Sequence, residues 1–242
     1  MRVFVPDASR SGEQLALPSD AAAHVTRVLR LAVGDDLRVF NGRGGEWQAR
    51  VVRCTKTSVV VAVLAAAAPA RETRVQYTMA LALLKGDGTD EAIRDVVMVG
   101  AAAVCPFVSA RSEVSAVAAL RASRLERWQR VAVSAATQCG RAVVPEVGAP
   151  VTFDSMIAAP ADGVRLLLVE PAAGGGTVVL ADVPAPAAVT LAIGPEGGWT
   201  AEEVGRAAGA GWLLVGLGGR TLRATSAPLA ALAACQAVWR DE

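Results

Sequence analysis

Histidine is all but absent: His24 is the only one in 242 residues. That excludes a His-rich metal centre, and a Ser-His-Asp triad has a single residue through which it could be built. Cysteine is sparse as well. Cys54, Cys105, Cys139 and Cys235 lie far apart with no CxxC pair, a spacing that indicates reduced, mostly buried thiols rather than a disulfide framework or a zinc site. No metal is expected. No apolar run reaches the roughly 18 residues of a membrane span, and the opening residues MRVFVPDASRSG lack the apolar stretch of a secretory signal. The expectation is a cytoplasmic protein with no membrane partner. Also missing are a G-x-G-x-x-G after a strand and any G-x-x-x-x-G-K-[ST], so a Rossmann dinucleotide site and a P-loop are both unsupported.

What is present is an apolar, nearly neutral chain: 53% hydrophobic, with a formal net charge of +1. The length suits one large domain or two smaller ones, each able to bury a core. Charge is unevenly spread. Residues 1–68 carry 9 Lys/Arg against 6 Asp/Glu, and residues 69–242 carry 15 against 17. A basic front and a slightly acidic back fit an N-terminal region that touches phosphates, and equally an ordinary solvated surface.

The front reads as strands. RVFV is a short strand, and Ser19 is placed to cap a helix over about 20–29. DLRVF and EWQARVVRC flank Asn41-Gly42-Arg43-Gly44-Gly45, a hairpin signal. Alternation sets Trp47, Ala49 and Val51 on one face and Gln48 and Arg50 on the other. With SVVVAVLA following, the pattern predicts a small barrel. The stretch AAAAPARETR, residues 65–74, has no periodicity and is read as a linker.

From about residue 74 the pattern changes to strands alternating with helices, the signature of a parallel α/β domain covered on both faces. VQYTMALAL, AVCPFVS, VRLLLVE, AVTLAIG and WLLVGLG read as strands. Thr89 or Asp90 is expected to cap a helix that runs to about Gly100. A long amphipathic helix spans ALRASRLERWQRVAVSAATQC, and its arginines at 121, 124, 127 and 130 read as a solvated face. His24 is expected to cap or pack within the front region, and Gly174-Gly175-Gly176 to form a mobile loop.

Ligands of open parallel sheets bind beyond the carboxyl ends of the strands. Two glycine-bearing segments stand there, IGPEGG and GLGGRTLRATSAP. In the first, Thr200 and Glu203 form a T-x-x-E capping box, so a helix starts directly after the glycines. Gly197 and Gly198 let the main chain approach a ligand, and Pro195 stiffens the entry. In the second, Arg220 and Arg223 precede a helix that begins at Ser226 or Ala227 with Pro228 in its first turn. On residue chemistry alone these loops are either the walls of one ligand site or two structural turns.

Taken together, LAIGPEGGWTAEEV and VGLGGRTLRATSAPLAALAA resemble the last two motifs of the SPOUT class of knotted methyltransferases. Within it they resemble the RsmE family of 16S rRNA uridine N3-methyltransferases, which typically shows I-G-P-E-G-G-x-[ST]-x-x-E and L-G-x-x-[IV]-L-R-x-x-[ST]-A. Further segments agree along the chain: HVTRVLRLAVGDDLRVFNGRGGEW, ALLKGD and TQCGRAVVPEV. The resemblance implies an α/β fold, with a C-terminal SPOUT domain over residues 74–242 that holds a mostly parallel sheet and a deep trefoil knot. It implies a small N-terminal PUA-like β-barrel over residues 1–68 that binds RNA. It further implies S-adenosyl-L-methionine as cofactor, 16S rRNA or the small ribosomal subunit as partner, and a homodimer with the site at the subunit interface. This chain departs from the family pattern at Gly88, where an Arg is usual, at Asp95 and Met98, where Lys and Glu are usual, and at Arg223-Ala224-Thr225-Ser226.

Carried over position by position, the resemblance gives Leu191, Ile193, Gly194, Pro195, Glu196, Gly197, Gly198, Leu217, Gly218, Gly219, Leu222, Ala224, Ser226 and Ala227 as cofactor-binding. Arg27, Arg30, Arg43, Lys85 and Arg141 fall on the RNA-facing segments. Methylation at uridine N3 requires the imide proton to leave and the anionic ring to be stabilised; Arg223 is assigned that role. Glu196 is read as accepting backbone N–H bonds rather than as a base. The alternatives are a knotted methyltransferase with another RNA target and an inactive RNA-binding homologue.

Overall fold

The computed structural model describes residues 1–55, 57–114, 122–160, 162–171 and 177–241. Arg121 and the Gly174–Gly176 stretch lie outside them. Two compact units are present: Met1–Glu72 with Val133–Val144, and Thr73–Ala132 with Pro145–Glu242.

The first unit is built on a five-stranded sheet. Its strands are β1 (Arg2–Phe4), β2 (Gln14–Ala16), β3 (Asp36–Phe40), β4 (Glu46–Cys54) and β5 (Val59–Ala66), in the order β1-β3-β4-β5-β2. The β3–β4 hairpin closes as its sequence dictates. Asn41 Oδ1 accepts the N–H groups of Arg43 at 2.8 Å and Gly45 at 3.0 Å, and Gly42 and Gly44 take the positive φ the turn needs. Trp47, Ala49 and Val51 enter one core with Val3, Leu37, Val39 and Val61, while Gln48 and Arg50 stay outside. Strand β5 runs through Ala66, two residues into the stretch read as linker.

Residues 19–30 depart from expectation. Helix α1 (Ser19–Ala23) has Pro18 at its N-cap with no side-chain cap, so Ser19 lies inside the helix. The chain then widens into a π-helical turn over His24–Val28. His24 is exposed. Arg30 leaves the turn at φ +54°.

The second unit carries β6 (Gln76–Ala82), β7 (Ala103–Val108), β8 (Glu146–Val147), β9 (Val151–Thr152), β10 (Val164–Leu168), β11 (Ala188–Ile193) and β12 (Leu213–Val215). The order is β12-β10-β11-β6-β7-β8, with β9 also on β7, and every pair is parallel. Helices α2 (Gly88–Val99), α3 (Ala122–Cys139, of which residues 133–139 belong to the first unit), α4 (Phe153–Ala158), α5 (Ala201–Gly209) and α6 (Ala227–Trp239) join them. Period-two alternation divides the sheet. Ala80, Ala82, Phe107, Leu167 and Ala192 pack with Phe153, Met156, Ala207 and Trp212 of the α4–α5 side, and helices α2 and α6 pack together against β6. Tyr77 on β6 stacks on Trp239 of α6 with ring centroids 6.2 Å apart.

Thr89 and Asp90 do not cap α2; Asp87 holds that position without a side-chain cap. Thr89 Oγ1 instead accepts the N–H of Leu84 at 2.9 Å, and Asp90 accepts from Trp128 Nε1 at 3.1 Å and pairs with Arg127. A parallel sheet in this order brings the loops after β6, β10, β11 and β12 out at one edge.

Candidate functional site

The loop after β11 is fixed from both sides. Thr200 Oγ1 accepts the N–H of Glu203 at 3.1 Å, and Glu203 Oε2 accepts the N–H of Thr200 at 2.9 Å, which is the capping box expected from T-x-x-E. Gly198 N donates to Pro195 O at 2.9 Å, closing a turn inside Gly-Pro-Glu-Gly-Gly. Gly198 sits at φ +66°, and a Cβ there would lie 2.3 Å from Glu170 Oε1. Glycine is therefore required twice, for the left-handed backbone and for the space that the Glu170 carboxylate fills. Trp199 donates from Nε1 to Leu168 O at 2.7 Å and stacks on Phe107, tying the loop to the end of β10 and to β7. Glu196 Oε1 accepts the backbone N–H of Lys85 at 3.1 Å.

The loop after β12 forms the facing wall. Gly218 has φ +96°. The carbonyl of Arg223 accepts the N–H groups of Ser226 and Ala227, each at 2.9 Å, and so starts α6, which carries Pro228 in its first turn. The guanidinium groups of Arg220 and Arg223 are exposed, and neither makes a hydrogen bond or an ion pair among the described residues.

Between the walls lies a cavity of about 480 Å³, lined by residues 168–171, 193–196, 199, 220–225 and 227 and by Glu91 of α2. That volume lies within the usual range for small-molecule sites. Of the cofactor-binding residues expected from sequence, Ile193, Gly194, Pro195, Glu196, Leu222, Ala224 and Ala227 line it, and so does Arg223. Leu191 and Leu217 point instead into apolar packing with Leu180 and Cys235. Gly218 borders an adjoining hollow that shares Glu170 and Pro171 with the main cavity. Gly197, Gly198, Gly219 and Ser226 do not line the main cavity. Gly197 faces Arg111, Gly198 seats Glu170, and Ser226 occupies the N-cap of α6. Sequence reasoning missed Glu170 and Glu91. The available signal for Glu170 was a carboxylate standing directly after the apolar run VRLLLV, at a strand end.

The residues expected to face RNA divide. Arg27, Arg30 and Arg43 are exposed in the first unit, with Arg43 Nη2 donating to Pro6 O at 2.9 Å. Lys85 is exposed in the second unit and pairs with Glu113. Arg141 is a correction. It is 5% exposed, and its guanidinium donates to Glu72 at 2.9 Å, so burial and pairing commit it to the fold. Trp47, at 9% exposure, is core, Arg50 pairs with Asp36, and Arg127 of the expected solvated face is tied to Asp87 and Asp90. Among the described residues, no group of three or more His, Cys, Asp or Glu is placed to hold a metal, and no helix is long and apolar enough to cross a membrane.

A parallel sheet with a cavity of carboxylates, unpaired arginine and glycine-rich main chain at its strand ends defines a small-molecule site of an α/β protein. Residues 71–236 match the family model described as RNA methyltransferase domain, and residues 17–64 match the RNA methyltransferase PUA domain. The chain is 36% identical over 221 residues to ribosomal RNA small subunit methyltransferase E of Synechocystis sp., covering 89% of this chain and 70% of that one. It is 28% identical to the Bacillus subtilis protein of the same name, covering 90% and 88%. A Neisseria gonorrhoeae structure of that enzyme bound to S-adenosyl methionine superposes with a TM-score of 0.89 at 31% identity, covering 98% and 97%. A Legionella pneumophila structure in complex with the bound cofactor SAM gives 0.91 at 31% identity, covering 98% and 96%. This chain belongs to the ribosomal RNA small subunit methyltransferase E family of RNA methyltransferases.

Proposed function

We propose that this protein methylates N3 of a uridine in 16S rRNA, with S-adenosyl-L-methionine as methyl donor. The observation that carries the reading is the placement of an unpaired guanidinium, Arg223, and an unpartnered carboxylate, Glu170, on one cavity at the strand ends.

The residues present fit the cofactor. Glu170 has no hydrogen-bond partner among the described residues, and Glu91 and Glu196 also border the space, so the cavity offers negative charge to a cationic ligand. Main-chain groups of residues 193–196 and 220–225 and the side chain of Glu170 would hold it. When bound, it supplies an electrophilic methyl group. The work left to the protein is positioning and electrostatics. Arg223 stabilises the anionic uracil ring at its carbonyl oxygens, which favours loss of the imide proton. Glu196, engaged by the Lys85 N–H, shapes the loop. Leu168, Trp199 and Leu222 give the cavity apolar wall. A uracil edge is unreachable within paired RNA, so the target nucleotide is single-stranded or flipped out.

We read residues 1–68 as the RNA-binding PUA-like domain and 74–242 as the catalytic SPOUT domain with its trefoil knot. The protein acts in the cytoplasm as a homodimer. Support for the dimer is the exposure of Leu229 on α6, an apolar position that a second copy would cover. Titration with S-adenosylmethionine by calorimetry tests the reading: heat of binding and a raised melting midpoint are expected. Neither effect at saturating cofactor would favour an inactive RNA-binding homologue instead.

A further inference from the structure

Four contacts close a ring around the Gly-Pro-Glu-Gly-Gly loop. Ala110 N–H donates to Glu203 Oε1 at 2.8 Å, Arg111 Nη1 to Gly197 O at 2.8 Å, and Lys85 N–H to Glu196 Oε1 at 3.1 Å. The Lys85 ammonium pairs with Glu113. Residues 109–113, which follow β7, thus form a strap across the outside of the loop.

Arg111 is the centre of this strap. Its guanidinium is exposed and has no carboxylate partner among the described residues; it is spent on one carbonyl. The backbones also approach closely there. A Cβ on Gly197 would lie 3.0 Å from Arg111 Cβ and 3.4 Å from Arg111 O, so glycine at 197 is what lets the strap seat.

The loop itself holds one internal main-chain hydrogen bond, Gly198 N to Pro195 O, and three of its five residues are glycine. A segment this permissive loses much entropy when a ligand orders it, unless it is ordered beforehand. A cationic donor on the Gly197 carbonyl supplies that order, because charge-assisted bonds are the stronger kind.

We propose that Arg111 is a positioning residue that pre-sets the cofactor loop without touching the cofactor. The inference rests on the methyltransferase reading for what the loop binds, and the test separates the two. Amide hydrogen exchange of the cofactor-free, full-length protein comes first. In Arg111→Ala the Gly198 and Trp199 amides exchange faster, the β6 and β10 amides are unchanged, and Arg111→Lys recovers most of the protection. Gly197→Ala, which lifts the strap by filling its seat, reproduces the Arg111→Ala pattern.

Calorimetry with S-adenosylmethionine then shows affinity lowered on the order of tenfold in Arg111→Ala, as for loss of one hydrogen bond to a charged group, with rRNA affinity retained. Unchanged exchange at 198–199 in Arg111→Ala overturns the proposal. So does normal cofactor affinity with weakened rRNA binding, which makes Arg111 a phosphate contact. A wild-type protein that binds no cofactor refutes the methyltransferase reading, and the exchange result still decides the strap.

Discussion

Oε1 of Glu203, a carboxylate on the first turn of α5 with 2% of its surface exposed, accepts the backbone N–H of Ala110, 93 residues away in sequence, at 2.8 Å. Its other oxygen completes the capping box with Thr200. One buried side chain thus anchors the helix start and the strap after β7. Glu203→Ala leaves two backbone donors without acceptors in a closed environment and is expected to destabilise the protein by about 3 kcal/mol. Glu203→Gln keeps a single acceptor oxygen and costs less. Urea unfolding of both variants measures the difference; equal, small losses would mean water replaces both bonds.

Arg223→Ala is expected to leave cofactor affinity near normal while turnover falls on the order of 100-fold, the size of effect seen when one stabilising donor of an anionic intermediate is removed. The guanidinium is free of partners among the described residues, so its loss unpicks no ion pair. Single-turnover methylation alongside cofactor titration separates the two effects, and unchanged turnover removes Arg223 from the mechanism.

Gly198→Ala strains a backbone at φ +66° and drives a methyl group to 2.3 Å from Glu170 Oε1. Left-handed backbone at a non-glycine residue costs about 1–3 kcal/mol, and Glu170 must swing out of its seat. The expected result is a lowered melting midpoint together with loss of cofactor binding. Gly198→Ala with Glu170→Ala relieves the clash and restores part of the stability, but not the binding.

Burial pushes the Cys235 thiol up to about 12. The protonated form is the unreactive one, so raising the pKa lowers the thiolate fraction throughout the neutral range. At about pH 8, near the ordinary thiol value, iodoacetamide is expected to leave Cys235 intact in the folded protein and to modify it after denaturation. Mass mapping of the alkylated peptides checks this; ready modification of the native chain would place Cys235 in a region that opens.

Much of this was legible along the chain. Alternation in WQARVVRC sets Trp47, Ala49 and Val51 on one face, which the structure shows to be the buried one; NGRGG marks the hairpin, and T-x-x-E the start of α5. These are local rules read locally. The short strands β2, β8 and β9 carry too few residues for a period to show. Thr89 and Asp90 have the right chemistry for a cap, yet Leu84, Arg127 and Trp128 take them up, and these partners come from the preceding loop and from a helix far along the sequence. The family resemblance of TQCGR sets Arg141 on an RNA-facing segment, and nothing in that segment reveals its partner Glu72. Glu170 against Gly198, and Glu203 against Ala110, depend on the order β10-β11-β6-β7, which no single segment encodes.

The most direct test of the central claim is mass mapping of modified nucleosides in 16S rRNA from a strain lacking this protein. The account predicts that 3-methyluridine disappears from small-subunit rRNA and returns when the wild-type chain, but not Arg223→Ala, is supplied. Full retention of 3-methyluridine in the deletion strain would contradict it.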